Sequence, residues 1–369
     1  MQRSSRTTPA LLLSGSAVAA GLLFVACTGD DPVLGHASVH DDGGAPDTSP
    51  VDGGPMSGDA DSNGGDSGST GDSAACMSES LSPQTPPLDM YIMLDQSGSM
   101  ADQGKWAAIG SGMNSFATEA SAAGVGVGLQ YFGLTGGAGS CISTDYQTPT
   151  LEIAPLPGAA TALSASLAGH VPAGDTPTYP ALKGAVDHAK AWASAHTGRV
   201  TVVVLATDSY ASSTCDDDLT HIATIASTAA AGTPRIVTFV IGVGSTLTNL
   251  NGIAAGGGTG QAILTDTSAA QFFAALNKVQ GAALACHYTF PIGKDRAKLN
   301  ISYEPAAGAA VTVGKVAGRA SCPATGDAWY YDDNATPTQI LLCDSTCKTV
   351  QAGAGAPVSI LSGCSTVLK

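Results

Sequence analysis

Three stretches of the chain, 88–94, 202–206 and 236–243, are nearly unbroken apolar runs. Each is followed by a segment whose apolar positions recur every three or four residues. Short apolar runs bounded by polar or Gly-rich turns predict strands buried on both faces, and the longer periodic segments predict amphipathic helices. On this pattern, strands are predicted at 88–94, 125–132, 151–153, 202–206, 236–243 and 262–264. Helices are predicted at 106–122, 159–167, 179–195, 219–231, 250–254 and 269–284. Strands alternating with helices predict an α/β domain, with a doubly wound, mostly parallel sheet and helices on both faces. After residue 284 the helical period stops. Short strands at 286–292, 298–303, 311–316, 329–331, 339–343 and 358–361, separated by Gly, Pro and Asp turns, predict a small β region. Trp329, Tyr330 and Tyr331 stand together in it; they read as strand core in preference to a carbohydrate-binding platform.

Upstream of residue 85 the pattern is different. The apolar run 10–25, preceded by Arg3 and Arg6, reads as a signal peptide over residues 1–26. Phe24, Val25, Ala26 and Cys27 resemble a bacterial lipobox, in which the Cys carries the lipid. Leu is usual at the first of these four places, and here it stands one residue earlier, at Leu23. The alternative is an ordinary secretory signal cut near Ala26, with Cys27 a spare thiol. Thr28 follows the Cys where an inner-membrane retention signal would have Asp, so the outer membrane or cell surface is expected, with membrane contact through the lipid anchor only. Residues 28–75 hold ten Asp and no Lys or Arg, with few large apolar side chains. That composition cannot bury enough surface to order itself, and its like charges keep it extended. Residues 27–84 are therefore read as anchor and linker, 85–285 as the α/β domain and 286–369 as a Cys-rich β region. Asp59, Asp61 and Asn63 match the opening of an EF-hand loop. Its twelfth position, however, is Thr70 instead of Glu, and no helices flank it.

Composition narrows the function. The 369 residues carry a net charge of −15 and only 15 Lys and Arg, which argues against a nucleic-acid partner. Of nine Cys, setting Cys27 aside leaves Cys76, Cys141, Cys215, Cys286, Cys322, Cys343, Cys347 and Cys364. An even set in an exported chain predicts disulfides. The expected pairs are Cys141 with Cys215 across the top of the first domain and the last cysteines among themselves. Cys343 and Cys347 have no His or second close pair at zinc-finger spacing, which weakens a zinc reading.

The strand 88–94 ends abruptly in Asp95, Gln96, Ser97, Gly98 and Ser99. Two later segments add oxygen ligands. Gly174, Asp175 and Thr176 precede a predicted helix, and the strand 202–206 runs into Thr207, Asp208 and Ser209. In open α/β sheets ligands bind beyond the carboxyl ends of the strands, where these residues are predicted to lie. Together the segments resemble the metal-ion-dependent adhesion site of von Willebrand factor type A domains, and the resemblance covers about 88–284. It extends to Phe239 through Gly244, to Leu250 through Ala254, and to Gly257, Gly258, Thr259 and Gly260. The resemblance implies the Rossmann-like type A fold. It also implies a divalent ion, Mg²⁺ before Mn²⁺ or Ca²⁺, held by Asp95, Ser97, Ser99, Thr176 and Asp208. In the family the hydroxyls bind directly and the carboxylates directly or through water. Neutral hydroxyls leave the ion short of negative charge, so a protein ligand offering Asp or Glu completes its shell. Mg²⁺ itself requires six oxygens at roughly 2.0–2.1 Å. The chain departs from the family in having Ser209 where Gly is common, and in carrying Asp175 beside Thr176. Without a metal, Asp95 and Ser97 would only cap the following helix.

No hydrolase elbow, zinc-protease helix or phosphate loop occurs, and His170, His188, His196, His221 and His287 are scattered. The expectation is a non-enzymatic, surface-tethered, monomeric lipoprotein that binds a protein or matrix ligand through its metal. The alternative is a structural envelope protein whose metal only stabilises the fold; a hydrolase ranks behind both.

Overall fold

The computed structural model describes residues 78–133, 139–212, 214–352 and 357–369. The predicted signal peptide, Cys27, Cys76 and the Asp59 loop lie outside them. In chain order the elements are β1 (Glu79–Leu81), β2 (Leu88–Asp95), α1 (Lys105–Thr118), β3 (Gly126–Phe132), β4 (Leu151–Pro155), α2 (Ala160–Gly169), α3 (Thr178–Ala195), β5 (Val200–Thr207), α4 (Leu219–Ala231) and β6 (Val237–Val243). There follow α5 (Asn251–Gly256), β7 (Ile263–Thr265), α6 (Ala269–Leu284), β8 (His287–Thr289), β9 (Leu299–Tyr303), β10 (Val311–Lys315), β11 (Ala328–Tyr331), β12 (Gln339–Leu342), α7 (Asp344–Ala352) and β13 (Val358–Ser362).

The first sheet runs β4-β3-β2-β5-β6-β7, parallel except for the edge strand β4. Counted from β2, this is the doubly wound order 3-2-1-4-5-6, in which the connections reverse direction between β2 and β5. The apolar runs are explained by burial on both faces. Met90, Ile92 and Leu94 of β2 pack with α1, α2 and α6, while Tyr91 and Met93 pack with α3, α4 and α5. The predicted α/β class is thus the observed one.

At the amino end of this sheet, Asp89 is 1% exposed. It accepts from Arg199 Nε at 2.7 Å, from the Arg199 terminal nitrogen, and from Trp192 Nε1 at 2.8 Å. Removing the charge in Asp89→Asn strands the Arg199 guanidinium. A loss of roughly 2–3 kcal/mol is expected in urea unfolding, below the range for fully buried pairs because the Arg199 side chain keeps 29% exposure.

The second sheet runs β1-β13-β9-β10-β11-β12-β8. Its first strand corrects the predicted linker boundary at residue 84, since Glu79, Ser80 and Leu81 pair antiparallel with Ser362, Leu361 and Ile360 of β13. Three residues beside Pro83, Pro86 and Pro87 are too few to show a period of two, and the partner strand is remote in sequence. Two helical expectations also change. Residues 106–122 divide into α1 and a 3₁₀ turn at Ala120–Ala122, and the β region contains α7, where only strands and turns were predicted. Trp329 and Tyr331 are core residues, at 0% and 3% exposure, and the Trp329 indole donates to Val313 O at 2.9 Å.

Cys141 is bonded to Cys215, Cys286 to Cys347 and Cys322 to Cys343, and Cys364 is also disulfide-bonded. Cys343 and Cys347 therefore belong to separate bridges, not to a shared zinc site. Among the described residues no helix is long and apolar enough to cross a membrane.

Candidate metal centre

Two strand ends form the base of the site. Asp95 closes β2 and Asp208 directly follows β5, so both carboxylates emerge at the carboxyl edge of the sheet, beside the point where the connections reverse. The chain after Asp95 cannot continue as strand. Gln96 N is drawn to Phe132 O at 2.8 Å, and Ser97 N turns back to donate to Asp95 Oδ1 at 2.7 Å. Ser97 and Ser99 then present their hydroxyls to each other at 3.1 Å, and Ser99 Oγ donates to Asp208 Oδ1 at 2.8 Å. The Ser97 side chain makes no capping hydrogen bond to the following turn, so a purely capping role is not what it performs.

The third segment is joined to the first two through its backbone. Gly98 N donates to Gly174 O at 3.0 Å, Ala173 N to Gln96 O at 2.7 Å, and Thr176 forms a bridge with Ser212. Gly133, with φ at +81°, makes this approach possible. A Cβ there would lie 2.8 Å from Ser97 N and 2.9 Å from Asp175 O. The Thr176 hydroxyl lies 3.1 Å from Ser209 Oγ, so it meets the site through the residue after Asp208. Of the five sequence-predicted ligands, Ser97, Ser99 and Asp208 are thus joined by side-chain hydrogen bonds, Asp95 is tied in through Ser97 N and Thr207, and Thr176 through Ser209. Ser209, the departure from the commoner Gly, serves as that connection. Asp175 is exposed and points to no partner among the described hydrogen bonds.

Two neighbours were missed by reading motifs. Thr207 Oγ1 donates to Asp95 Oδ2 at 2.6 Å and lies 3.0 Å from Ser209 O, which orients both the carboxylate and the loop. Lys105 Nζ donates to Asp208 Oδ2 at 2.7 Å and to Ser99 O at 3.2 Å. For Thr207 the available signal was a hydroxyl at the buried last place of an apolar strand. For Lys105 it was a cation at the start of the helix that follows the Asp-x-Ser-x-Ser loop.

The electrostatics of Asp95 are those of a group with an unmet charge. It is fully buried, its hydrogen bonds come from the uncharged groups of Ser97 and Thr207, and desolvation pushes its carboxyl up to about 6. The hydrogen bonds from Thr207 and Ser97 oppose that rise, and nearby Asp208 adds to it. An all-oxygen set of two carboxylates and three hydroxyls, without thiol or imidazole, suits a hard divalent cation. Among the described residues no three His, Cys, Asp or Glu side chains converge on a common metal position, so the hydroxyls are essential to such a site. Of the scattered histidines, His188 pairs with Glu152 and His221 with Asp216, and neither pair includes any of the five residues.

No protein-family model matches the chain, and no curated protein matches it. Solved structures with similarity do exist. Proximal thread matrix protein 1 from the mussel byssus, in a structure with a zinc-occupied MIDAS motif, is 13% identical with a TM-score of 0.39, over 57% of this chain and 50% of that one. The pilus adhesin SpaC from Lactobacillus rhamnosus GG is 16% identical with a TM-score of 0.41, over 76% of this chain and 40% of that one. The conserved hypothetical protein BatB from Bacteroides thetaiotaomicron is 16% identical with a TM-score of 0.36, over 53% of this chain and 98% of that one. The chain thus spans half or less of the length of the first two.

Proposed function

We propose that this chain is a non-enzymatic binding protein whose α/β domain captures an acidic protein or matrix ligand through a divalent cation. The supporting observation is the convergence of Asp95, Ser97, Ser99 and Asp208, drawn from positions 109 residues apart and joined by the Ser99 to Asp208 hydrogen bond, with Thr176 reaching the same place through Ser209. These residues would hold the ion as in a metal-ion-dependent adhesion site of the von Willebrand factor type A kind, Mg²⁺ first and Mn²⁺ or Ca²⁺ as substitutes. When bound, the ion supplies a Lewis-acidic position that a ligand carboxylate can occupy. The chain's own residues fix the loops and keep water from Asp95, while three neutral hydroxyls leave the cation short of negative charge. Lipidation at Cys27 would tether the domain to the outer membrane or cell surface, with residues 28–75 as an acidic spacer, and the protein would act as a monomer.

Thr176→Ala separates binding from a purely structural role. Loss of one partly buried hydroxyl contact lowers stability by only about 1 kcal/mol. Retention of the full chain on an array of Glu- and Asp-containing peptides in Mg²⁺, measured against chelator, is expected to vanish in Thr176→Ala and return in Thr176→Ser. Wild type that ignores every acidic peptide, yet melts at higher temperature with Mg²⁺, would instead support the envelope-protein alternative, in which the metal only stabilises the loops.

A further inference from the structure

We propose that Lys105 is a built-in cation that holds Asp208 in place and keeps the intrinsic metal affinity of the centre low, so that metal and acidic ligand are bound jointly. This rests on the metal-centre reading above.

The Asp208 side chain is fully buried and its two oxygens have divided tasks. Oδ1 accepts from Ser99 and faces the cluster of hydroxyls, while Oδ2 accepts from Lys105 Nζ at 2.7 Å. The Lys105 side chain keeps 14% exposure, and its ammonium is also tied to Ser99 O at 3.2 Å. It is thus fixed by two acceptors that both belong to the site. Among the described hydrogen bonds it is the sole Lys or Arg touching the five ligands.

Its position is otherwise an unfavourable one. Lys105 is the first residue of α1, whose first turn contains no acidic residue, and a cation at a helix N-terminus opposes the helix dipole. The preceding backbone is bent to place it there, with Gln103 and Gly104 both left-handed at φ +54° and +73°. Local helix preference therefore does not account for the placement, whereas the contact with Asp208 does.

The consequence is electrostatic. One carboxylate serves two cations, so the field of Asp208 at the hydroxyl cluster is partly cancelled by an ammonium that cannot leave without abandoning two hydrogen bonds. Asp95 is left as the principal uncompensated negative charge. A divalent ion held there remains electron-poor, and an incoming carboxylate supplies the charge that Lys105 has cancelled. Affinity for metal alone should be weak, and affinity for metal together with an acidic ligand stronger.

The test is calorimetric titration of Mg²⁺ and Mn²⁺ into the full chain as wild type, Lys105→Met, Lys105→Gln and Lys105→Arg, each also melted in chelator. The expected result is metal binding at least about tenfold tighter in Met and Gln, within about threefold of wild type in Arg, and a lower melting temperature in chelator for Met and Gln. The charge-keeping Arg variant and the two neutral variants bracket the effect should one of them fold poorly. Equal or weaker metal binding in Met and Gln, with wild type still binding, overturns the proposal and leaves Lys105 as a positioning residue only. If no variant and no wild type binds metal, the metal-centre reading itself fails and this inference with it.

Discussion

Asp95→Asn is expected to abolish metal binding and, in chelator, to raise the melting temperature of the chain. The two effects share a cause. Asp95 is fully buried with only neutral donors, and burial raises its carboxyl from the ordinary value of 3.8 to about 6. A raised folded-state value means that the proton is held more tightly in the fold than in the unfolded chain. The contribution of this group to stability is therefore present below about pH 4 and is lost as pH rises through about 6. At neutral pH the ionised group destabilises the chain by up to about 3 kcal/mol, counting about 1.4 kcal/mol for each of some two units. Asn retains an acceptor for Ser97 N, and Thr207 Oγ1 can turn its donated hydrogen to Ser209 O, so shape is kept and the buried charge removed. Metal affinity follows the opposite course with pH, falling as protons compete for Asp95 below about 6. Asp208→Asn should behave differently, lowering stability in chelator because Lys105 loses its carboxylate. The checks are differential scanning calorimetry at pH 7.5 in chelator and titration calorimetry with Mg²⁺. If Asp95→Asn melted lower than wild type in chelator, Asp95 would be a structural cap and its charge would not await a cation.

The second large effect belongs to the β region. Serine at both Cys286 and Cys347 opens a bridge spanning 61 residues, and the unfolded-chain entropy it removes corresponds to about 4 kcal/mol. Two local features raise the dependence on this bridge. Cys286 has a left-handed backbone, φ +67°, which a non-Gly residue adopts only when held, and α7 is secured to the β9 to β12 core through Cys347 and Val350. The expected result is a separate, earlier calorimetric transition for the second sheet, accompanied by loss of the near-ultraviolet circular dichroism of buried Trp329, while Mg²⁺ affinity stays near wild type. A single unshifted transition would show that the seven-stranded sheet is stable without the bridge.

Much of the fold could be read from the sequence because the first domain is built from strands buried on both faces. Continuous apolar runs such as Met90 to Leu94 are hard to mistake, and the helices between them are long enough to show their period. The second sheet was less legible. β1 is three residues long and takes its meaning from β13, and α7 is only nine residues long, largely polar, with only Thr346 and Val350 buried. The candidate site divides in the same way. Asp95, Ser97, Ser99, Thr176 and Asp208 stand out as candidate oxygen ligands at strand ends, in the loops after them or before a helix. Thr207 and Lys105 do not, since a Thr ending a strand and a Lys opening a helix are commonplace until their neighbours are known.

By itself, then, the sequence determined the doubly wound α/β class and the acidic tract ahead of the domain, because each depends on residue type and local spacing; five candidate oxygen ligands and the pairing of Cys141 with Cys215 were expectations, of which the structure shows the disulfide. The tertiary structure decided which oxygen of Asp208 faces the hydroxyls and which faces Lys105, that Asp95 is buried without a cation, that Thr176 arrives through Ser209, and that Glu79 to Leu81 completes the second sheet. Those facts depend on which distant segments share a strand end, and on how much water is excluded there, quantities set by packing and not by any local pattern of residues.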